Sequence, residues 1–364
     1  MSELNAFLEG AYLRGASDLH MELAGGFLTV RERRAQGMER VAELDAAAGR
    51  QVLASLQAQA GLRFEEDGRP QDGRIVRERV EFRISWLPTS EGLSVVLRVL
   101  PRAASRSETD FFADQDPAER TAFQRAMACG DGWILVCGPT GSGKTTTLYE
   151  LLSHVDTRER KVISVEDPVE RVLPGVLQTE VNPGVDWTFE TALRRLLRHD
   201  PDVLLIGELR DAVSAQIAMH AAMTGHLILS TVHASDVAGV VDRLRQLGIS
   251  LRTQAELHRL TIAQRLVPRL CPHCREACAD DYWESSGCLN CNFSKAAGLH
   301  RLAEHVEWDR SDSEQLASGT PGYALRDRWR QAGVPLLPQR AERAARNGSI
   351  ARPAGAYLAS GLGL

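Results

Sequence analysis

Residues 137–147, CGPTGSGKTTT, follow the apolar run WILVC and open the stretch KTTTLYELLSHV, which has helical composition. Gly138, Gly143, Lys144 and Thr145 satisfy G-x-x-x-x-G-K-[ST] at every fixed position, and a strand before and a helix after are the context that motif needs. The residue types follow from what they hold. Glycines let backbone N–H groups turn inward around phosphate oxygens, and the first helical turn adds a favourable dipole. Lys144 reaches the outer phosphates of a nucleotide, and the Thr145 hydroxyl is suited to magnesium. Thr140, Gly141, Ser142 and Thr146 complete the cradle. The lysine stands out, because Lys144, Lys161 and Lys295 are the only lysines among 43 basic residues.

Outward from this loop, WILVC, KVISVED, DVLLIGE and HLILSTV read as apolar strands separated by helical stretches such as FETALRRLLRHD and AVSAQIAMHAAMTG. That alternation predicts an α/β core with a parallel sheet covered on both faces. Ligands collect at the carboxyl ends of parallel strands. Glu166 and Asp167 end one strand and Glu208 ends another, so these acids should approach the phosphate loop. One carboxylate would serve Mg²⁺ and one would orient or deprotonate the attacking water. The plainer alternatives are a helix cap or a pair with Arg210. His226 and His233 flank a third strand, with His233 on the side of the acids.

The 364 residues suggest two to three domains, and a charged content of 25% is ordinary for a globular chain. A net charge of −5 gives no global electrostatic case for nucleic acid. The apolar runs are strand-sized, far short of a membrane span. MSELNAFLEGAYLRGASD lacks a basic start followed by an apolar stretch, so no signal peptide is read and a cytoplasmic location is expected. Residues 1–100 read as a small α+β domain with two hairpins around the helix AAAGRQVLASLQAQAG, 101–118 as a linker, 119–308 as the core with an insert at 265–300, and 309–364 as an arginine-rich helical tail.

The insert holds five of the seven cysteines. Cys271-x-x-Cys274 and Cys288-x-x-Cys291 are two knuckles suited to a tetrahedral zinc thiolate site, and four thiolates leave no open position for substrate. The expected role is structural, with Cys278 and His273 as spare donors. Between Cys271 and Cys291 acids outnumber basic residues, against a nucleic-acid finger.

EDPVE, LRRLLRHDPDVLLIGELRD and TGHLILSTVH, taken with the phosphate loop, resemble the Walker A, Asp-box, Walker B and His-box segments of the type II secretion and type IV pilus ATPase family. GASDLHME and DGRIVRERVEFRISWLPTSEGLSVVLRVL in the N-terminal domain are similar to that family too. The resemblance implies a RecA-like core, a PAS-like N-terminal domain, ATP with Mg²⁺, and a homohexameric motor. Glu166 would be its general base, Glu208 the acid acting through Mg²⁺ and water, and His226 and His233 the nucleotide-sensing pair. Arg74, Arg83 and Arg98 would face nucleotide across a domain or subunit boundary; on the residues alone the plainer reading is one solvated face, and the family match reverses it. The four-cysteine element implies pilus or pseudopilus assembly rather than retraction, with DNA translocation as the further alternative. The implied partners are an inner-membrane platform protein and its cytoplasmic adaptor, with no nucleic acid, which places the chain peripherally at a bacterial inner membrane. Leu93, Val213 and His220 depart from the family pattern.

Overall fold

Strict alternation of apolar and polar residues shapes the first of two compact units, Met1–Asp110 and Phe111–Leu364. The computed structural model describes residues 3–34, 37–64, 68–77, 80–101, 116–278, 281–291, 293 and 295–352. Most of the linker reading, residues 102–115, and the end of the tail, residues 353–364, lie outside the described residues.

In the first unit, β1 (Asp18–Ala24), β2 (Phe27–Arg34), β3 (Gly37–Asp45), β4 (Gln71–Val76), β5 (Val80–Thr89) and β6 (Gly92–Pro101) form an antiparallel sheet in the order β3-β2-β1-β6-β5-β4. Val80, Phe82, Ile84 and Trp86 of β5 point alternately inward, as the period of two requires. They share a core with Leu4 and Leu8 of the helix Glu3–Leu13 and with Leu53 and Leu56 of the helix Ala46–Ala60. Asp45 caps the latter helix by accepting from the N–H groups of Ala47 and Ala48. Neither β3 nor the first helix was evident from the sequence.

The second unit is built on seven strands. β7 (Gly132–Cys137), β8 (Val162–Glu166), β10 (Val203–Ile206) and β11 (Leu227–Val232) are the four expected strands, and every residue in them is buried. β9 (Val176–Glu180) and β12 (His258–Leu270) extend the parallel set in the order β12-β7-β11-β10-β8-β9. β15 (Ala296–Glu307) pairs antiparallel on β12, so the sheet is parallel except at this edge. The cysteine segment, which carries the short antiparallel pair β13 (Arg275–Ala277) and β14 (Trp283–Ser285), lies between those two strands. The bounds 265–300 were therefore too wide: the sheet runs to Leu270 and resumes at Ala296, leaving 271–295 as the inserted module.

The C-terminal residues are not an appended tail. Leu316, Leu325, Trp329, Leu337, Ala341 and Ile350 join the same core as Trp133 and Leu204. They come from the helices Arg310–Ala317, Gly322–Gln331 and Leu337–Arg346 and from the turn beyond. Buried Glu304 of β15 fixes one of these helices to the sheet. It accepts the N–H of Leu337 at 2.6 Å and that of Val237 at 2.9 Å, joining the first turns of two helices.

Candidate functional site: a phosphate pocket and a four-cysteine centre

Because β7, β8, β10 and β11 run in one direction, the residues that follow them meet along one edge of the sheet. A cavity of about 510 Å³ opens there, lined by Thr140, Gly141, Gly143, Lys144, Thr145 and Thr146 on one side and by Glu166, Asp167, Glu170, Glu208, Arg210 and His233 on the other. Gly143, at φ +81°, starts the helix Lys144–Ser153 with no side-chain cap. Its leading N–H groups thus lack the usual capping side chain, which suits an anion. Lys144 Nζ donates to the carbonyls of Gly138 and Pro139 at 3.0 and 2.9 Å. Burial lowers its pKa, opposed by the charge of Glu208. The donor set fits a nucleotide triphosphate, and Thr145 with Glu208 supplies hard oxygen donors for Mg²⁺.

Gly138 and Ser142 shape the loop from beneath rather than line the cavity. A Cβ on Gly138 would stand 2.4 Å from the carbonyl oxygen of Gln264 and 2.7 Å from Ser142 Oγ. Gln264 of β12, fully buried, holds the floor. Its Nε2 donates to the Ser142 carbonyl at 2.6 Å, and its Oε1 accepts from Thr147 Oγ1 at 2.7 Å. Arg301 reaches the same Oε1 and forms a buried pair with Glu119 at 2.7 Å. A polar residue inside the apolar run TIAQRLV was the one sequence signal for this support.

The acids opposite are held unequally. Glu166 is 2% exposed, and three donors among the described residues bind it: Tyr149 Oη, Ser164 Oγ at 2.6 Å and Gln178 Nε2 at 3.1 Å. Glu208 is gripped by His233 Nε2 at 2.7 Å and by Arg210 Nε at 2.7 Å, and Arg210 also reaches Asp167 at 3.4 Å. The pair with Arg210 was the plainer reading of these acids; the structure shows that pairing and the place on the pocket together. Glu170 is exposed on the pocket rim, and the sequence reading passed over it. Its signal was position: Pro168 interrupts the chain after β8, and Glu170 follows that break.

His226 does not join this group. It precedes β11 while His233 follows it, so the two lie at opposite ends of the strand. His226 Nδ1 instead donates to the carbonyl of Ala221 at 2.9 Å, closing the end of the helix Ala212–Met223. No acid from a neighbouring strand takes it among the described residues.

In the first unit, Arg74 stands opposite Arg83, Arg83 opposite Arg98, and Arg98 opposite Asp18. Directly opposed residues share a face, so these form one row. Arg98 pairs with Asp18 at 3.2 Å and Arg83 with Glu81 at 3.4 Å, yet their side chains stay 69% and 52% exposed. Arg33, which faces Asp18 from β2, extends the row and was not singled out in sequence.

The sulfurs of Cys271, Cys274, Cys288 and Cys291 all lie within 4.8 Å of one another. Three of the pairs stand at 3.9 Å. A tetrahedral zinc with Zn–S bonds of about 2.3 Å separates its sulfurs by about 3.8 Å, whereas a disulfide needs about 2.05 Å. The donor set therefore fits zinc. Cys278 and His273 are exposed and outside the cluster.

Comparison with known proteins agrees with this geometry. The family described as "Type II/IV secretion system protein" matches residues 1–353. The chain is 37% identical over 350 residues to the type II secretion system protein HxcR of Pseudomonas aeruginosa, covering 95% of this chain and 74% of that one. It is 37% identical to the type II secretion system ATPase E of Vibrio cholerae, covering 82% of this chain and 64% of that one. Among solved structures, the Legionella pneumophila ATPase DotB superposes with a TM-score of 0.69 at 20% identity, over 98% of this chain and 95% of that one. The pilus retraction motor PilT with bound ADP gives 0.70 at 21%, over 98% and 97%. At such identities these two speak for the fold, a RecA-like core preceded by an N-terminal domain. The chain belongs to the type II/IV secretion system protein family and is an ATPase of that family.

Proposed function

We propose that this chain drives assembly of a type II secretion pseudopilus or a type IV pilus as a homohexameric motor. The supporting observation is the meeting of Lys144, Thr145, Glu166 and Glu208 on one cavity at the carboxyl edge of the sheet. Lys144 exchanges its two loop carbonyls for phosphate oxygens. Thr145, with Glu208 beside it, would hold Mg²⁺, which neutralises charge on the outer phosphates. Glu208, turned by His233 and Arg210, supports that position. The base comes from the segment 166–170. Glu166, which ends β8 on the pocket and is aligned by Tyr149, Ser164 and Gln178, is the general base that the resemblance implies. Arg74, Arg83 and Arg98, one row on the sheet of the first unit, would supply charge to nucleotide across a domain or subunit boundary, as the resemblance implies.

No helix among the described residues is long and apolar enough to cross a membrane. Contact with the inner membrane of a bacterium would run through the platform protein and its cytoplasmic adaptor. The cysteine centre, closed to substrate, stiffens the core and favours assembly over retraction.

Steady-state ATPase assays with mass measurement test this reading. Wild type should hydrolyse ATP as a hexamer. Glu208→Gln and Glu166→Gln should bind ATP but turn it over about 10²- to 10³-fold more slowly, within the range for removing an aligned acid–base or electrostatic group. Full turnover by either variant removes the role proposed for that glutamate.

A further inference from the structure

β11 is apolar except for Ser230 and Thr231 near its end, and both hydroxyls reach backbone carbonyls at the end of β10. Ser230 Oγ donates to the carbonyl of Ile206 at 2.7 Å, and Thr231 Oγ1 to that of Gly207 at 2.8 Å. Ser230 Oγ also stands 3.5 Å from the Thr231 carbonyl, too long for a strong hydroxyl bond. Thr231 does more than its neighbour. Its own carbonyl accepts the N–H of Leu209 at 3.0 Å, so one residue holds the backbone on both sides of Glu208. Gly207 in turn donates its N–H at 2.8 Å to the carbonyl of Val165, the residue before Glu166. Thr231 is 4% exposed and lines the phosphate pocket, two residues before His233.

The place of these bonds in the sheet makes them informative. The regular pairing of β10 with β11 ends at Ile206 and Ser230, and Glu208 lies just beyond it. Past that point the backbone is held by whatever bonds the strand ends can make. The carboxylate of Glu208 is turned by His233 and Arg210, and the peptides around it are set by Thr231. We propose that Thr231 is a positioning residue that fixes Glu208 opposite the phosphate loop and keeps it level with Glu166. It acts through the peptides of Gly207 and Leu209 and touches no reacting atom. The proposal rests on reading this pocket as the site of ATP hydrolysis.

Thr231→Val in the full chain keeps the branched shape and leaves the Gly207 carbonyl without its hydroxyl donor. Because a misplacement of about 1 Å can cost about 10² in rate, kcat should fall roughly 10- to 100-fold. The Kd for a fluorescent ATP analogue should stay within about threefold. Thr231→Ala removes the hydroxyl without setting a methyl against that carbonyl and should be as slow. Thr231→Ser restores the hydroxyl and should turn over within about threefold of wild type. Ser230→Ala removes the matching bond one residue earlier. It should lower the melting temperature as much as Thr231→Val does, with kcat within about twofold of wild type. The double variant Thr231→Val/Glu208→Gln should be no slower than Glu208→Gln alone. A kcat within about twofold of wild type for Thr231→Val and Thr231→Ala overturns the proposal. So does a Thr231→Ser variant as slow as Thr231→Val, or an equal fall in kcat for Ser230→Ala. A double variant slower than Glu208→Gln overturns it too, because Thr231 would then act apart from Glu208. Loss of ATP affinity at unchanged kcat does the same, since the hydroxyl would then meet the nucleotide. Full turnover by Glu208→Gln is a different result, one that overturns the reading of the pocket itself.

Discussion

The phosphate pocket and the four-cysteine centre each suit a charged ligand, and they are built in opposite ways. The pocket collects side chains from residue 140 to residue 233, brought together because four strands point the same way. The centre takes its four sulfurs from residues 271–291, a local loop with short secondary structure of its own. Around the pocket an apolar sheet exists independently of the ligand. In the centre the three buried thiol side chains form the whole of a small separate cluster, so the metal stands in for a core. Loss of a pocket residue should therefore cost chemistry, and loss of a thiolate should cost structure.

The largest effect is expected at Lys144. Its ammonium is held by two carbonyls, and burial already disfavours its charge. Lys144→Ala should weaken ATP binding more than about 10²-fold in calorimetry, because the outer phosphates lose their partly desolvated cation. The same variant should melt at or above the wild-type temperature without nucleotide, since a half-buried charge has been removed. A clear fall in melting temperature would erase the contrast between the two sites.

Cys274→Ser comes next and should invert that pattern. Zinc content should drop from about one per chain. A loss of about 2 kcal/mol would lower Tm by roughly 4–8 °C, while ATP affinity stays within about twofold. The damage should spread toward the C-terminus, because the module grips that segment at three points. Arg275 Nη1 donates to the Gly348 carbonyl at 2.6 Å, Tyr282 Oη to Glu342 at 2.7 Å, and Trp283 Nε1 to the Arg346 carbonyl at 3.1 Å. Limited proteolysis should then cut first after residue 336. Equal loss of ATP affinity and zinc would show that the two sites are not independent.

What could be read in advance divides along the same line. The phosphate loop and the cysteine knuckles are short and carry their chemistry at fixed spacing, so they announce themselves. The apolar strands are equally plain, because burial on both faces leaves no polar positions. β12 escaped notice since Thr261, Gln264 and Arg265 interrupt its apolar pattern, and only the folded chain shows partners for them. The C-terminal residues were legible as helical, but their packing was not, because their surfaces are mostly arginine and their few apolar residues matter only when stacked on the sheet. Tyr149 was hidden for a different reason. A buried tyrosine on an amphipathic helix looks like ordinary core until its hydroxyl is seen between two glutamates.

His226 and His233 give the smallest expected effect and the finest distinction. In sequence they look like a matched pair around β11, and a strand that reverses nothing must put them at opposite ends. His233, half-exposed, holds Glu208 at 2.7 Å; His226 donates to the end of a helix. His233→Ala should lower kcat about 3- to 10-fold, since one of two groups orienting Glu208 is lost while Arg210 remains. His226→Ala should leave kcat within about twofold and cost roughly 0.5–1 kcal/mol of stability, the usual worth of a favourable group at a helix C-terminus. Both numbers come from assays of the full chain at saturating ATP. An equal fall in kcat for the two variants would mean that His226 reaches a nucleotide held by another copy of the chain. The amino edge of the sheet would then be an active surface too, and the site would no longer be complete within one subunit.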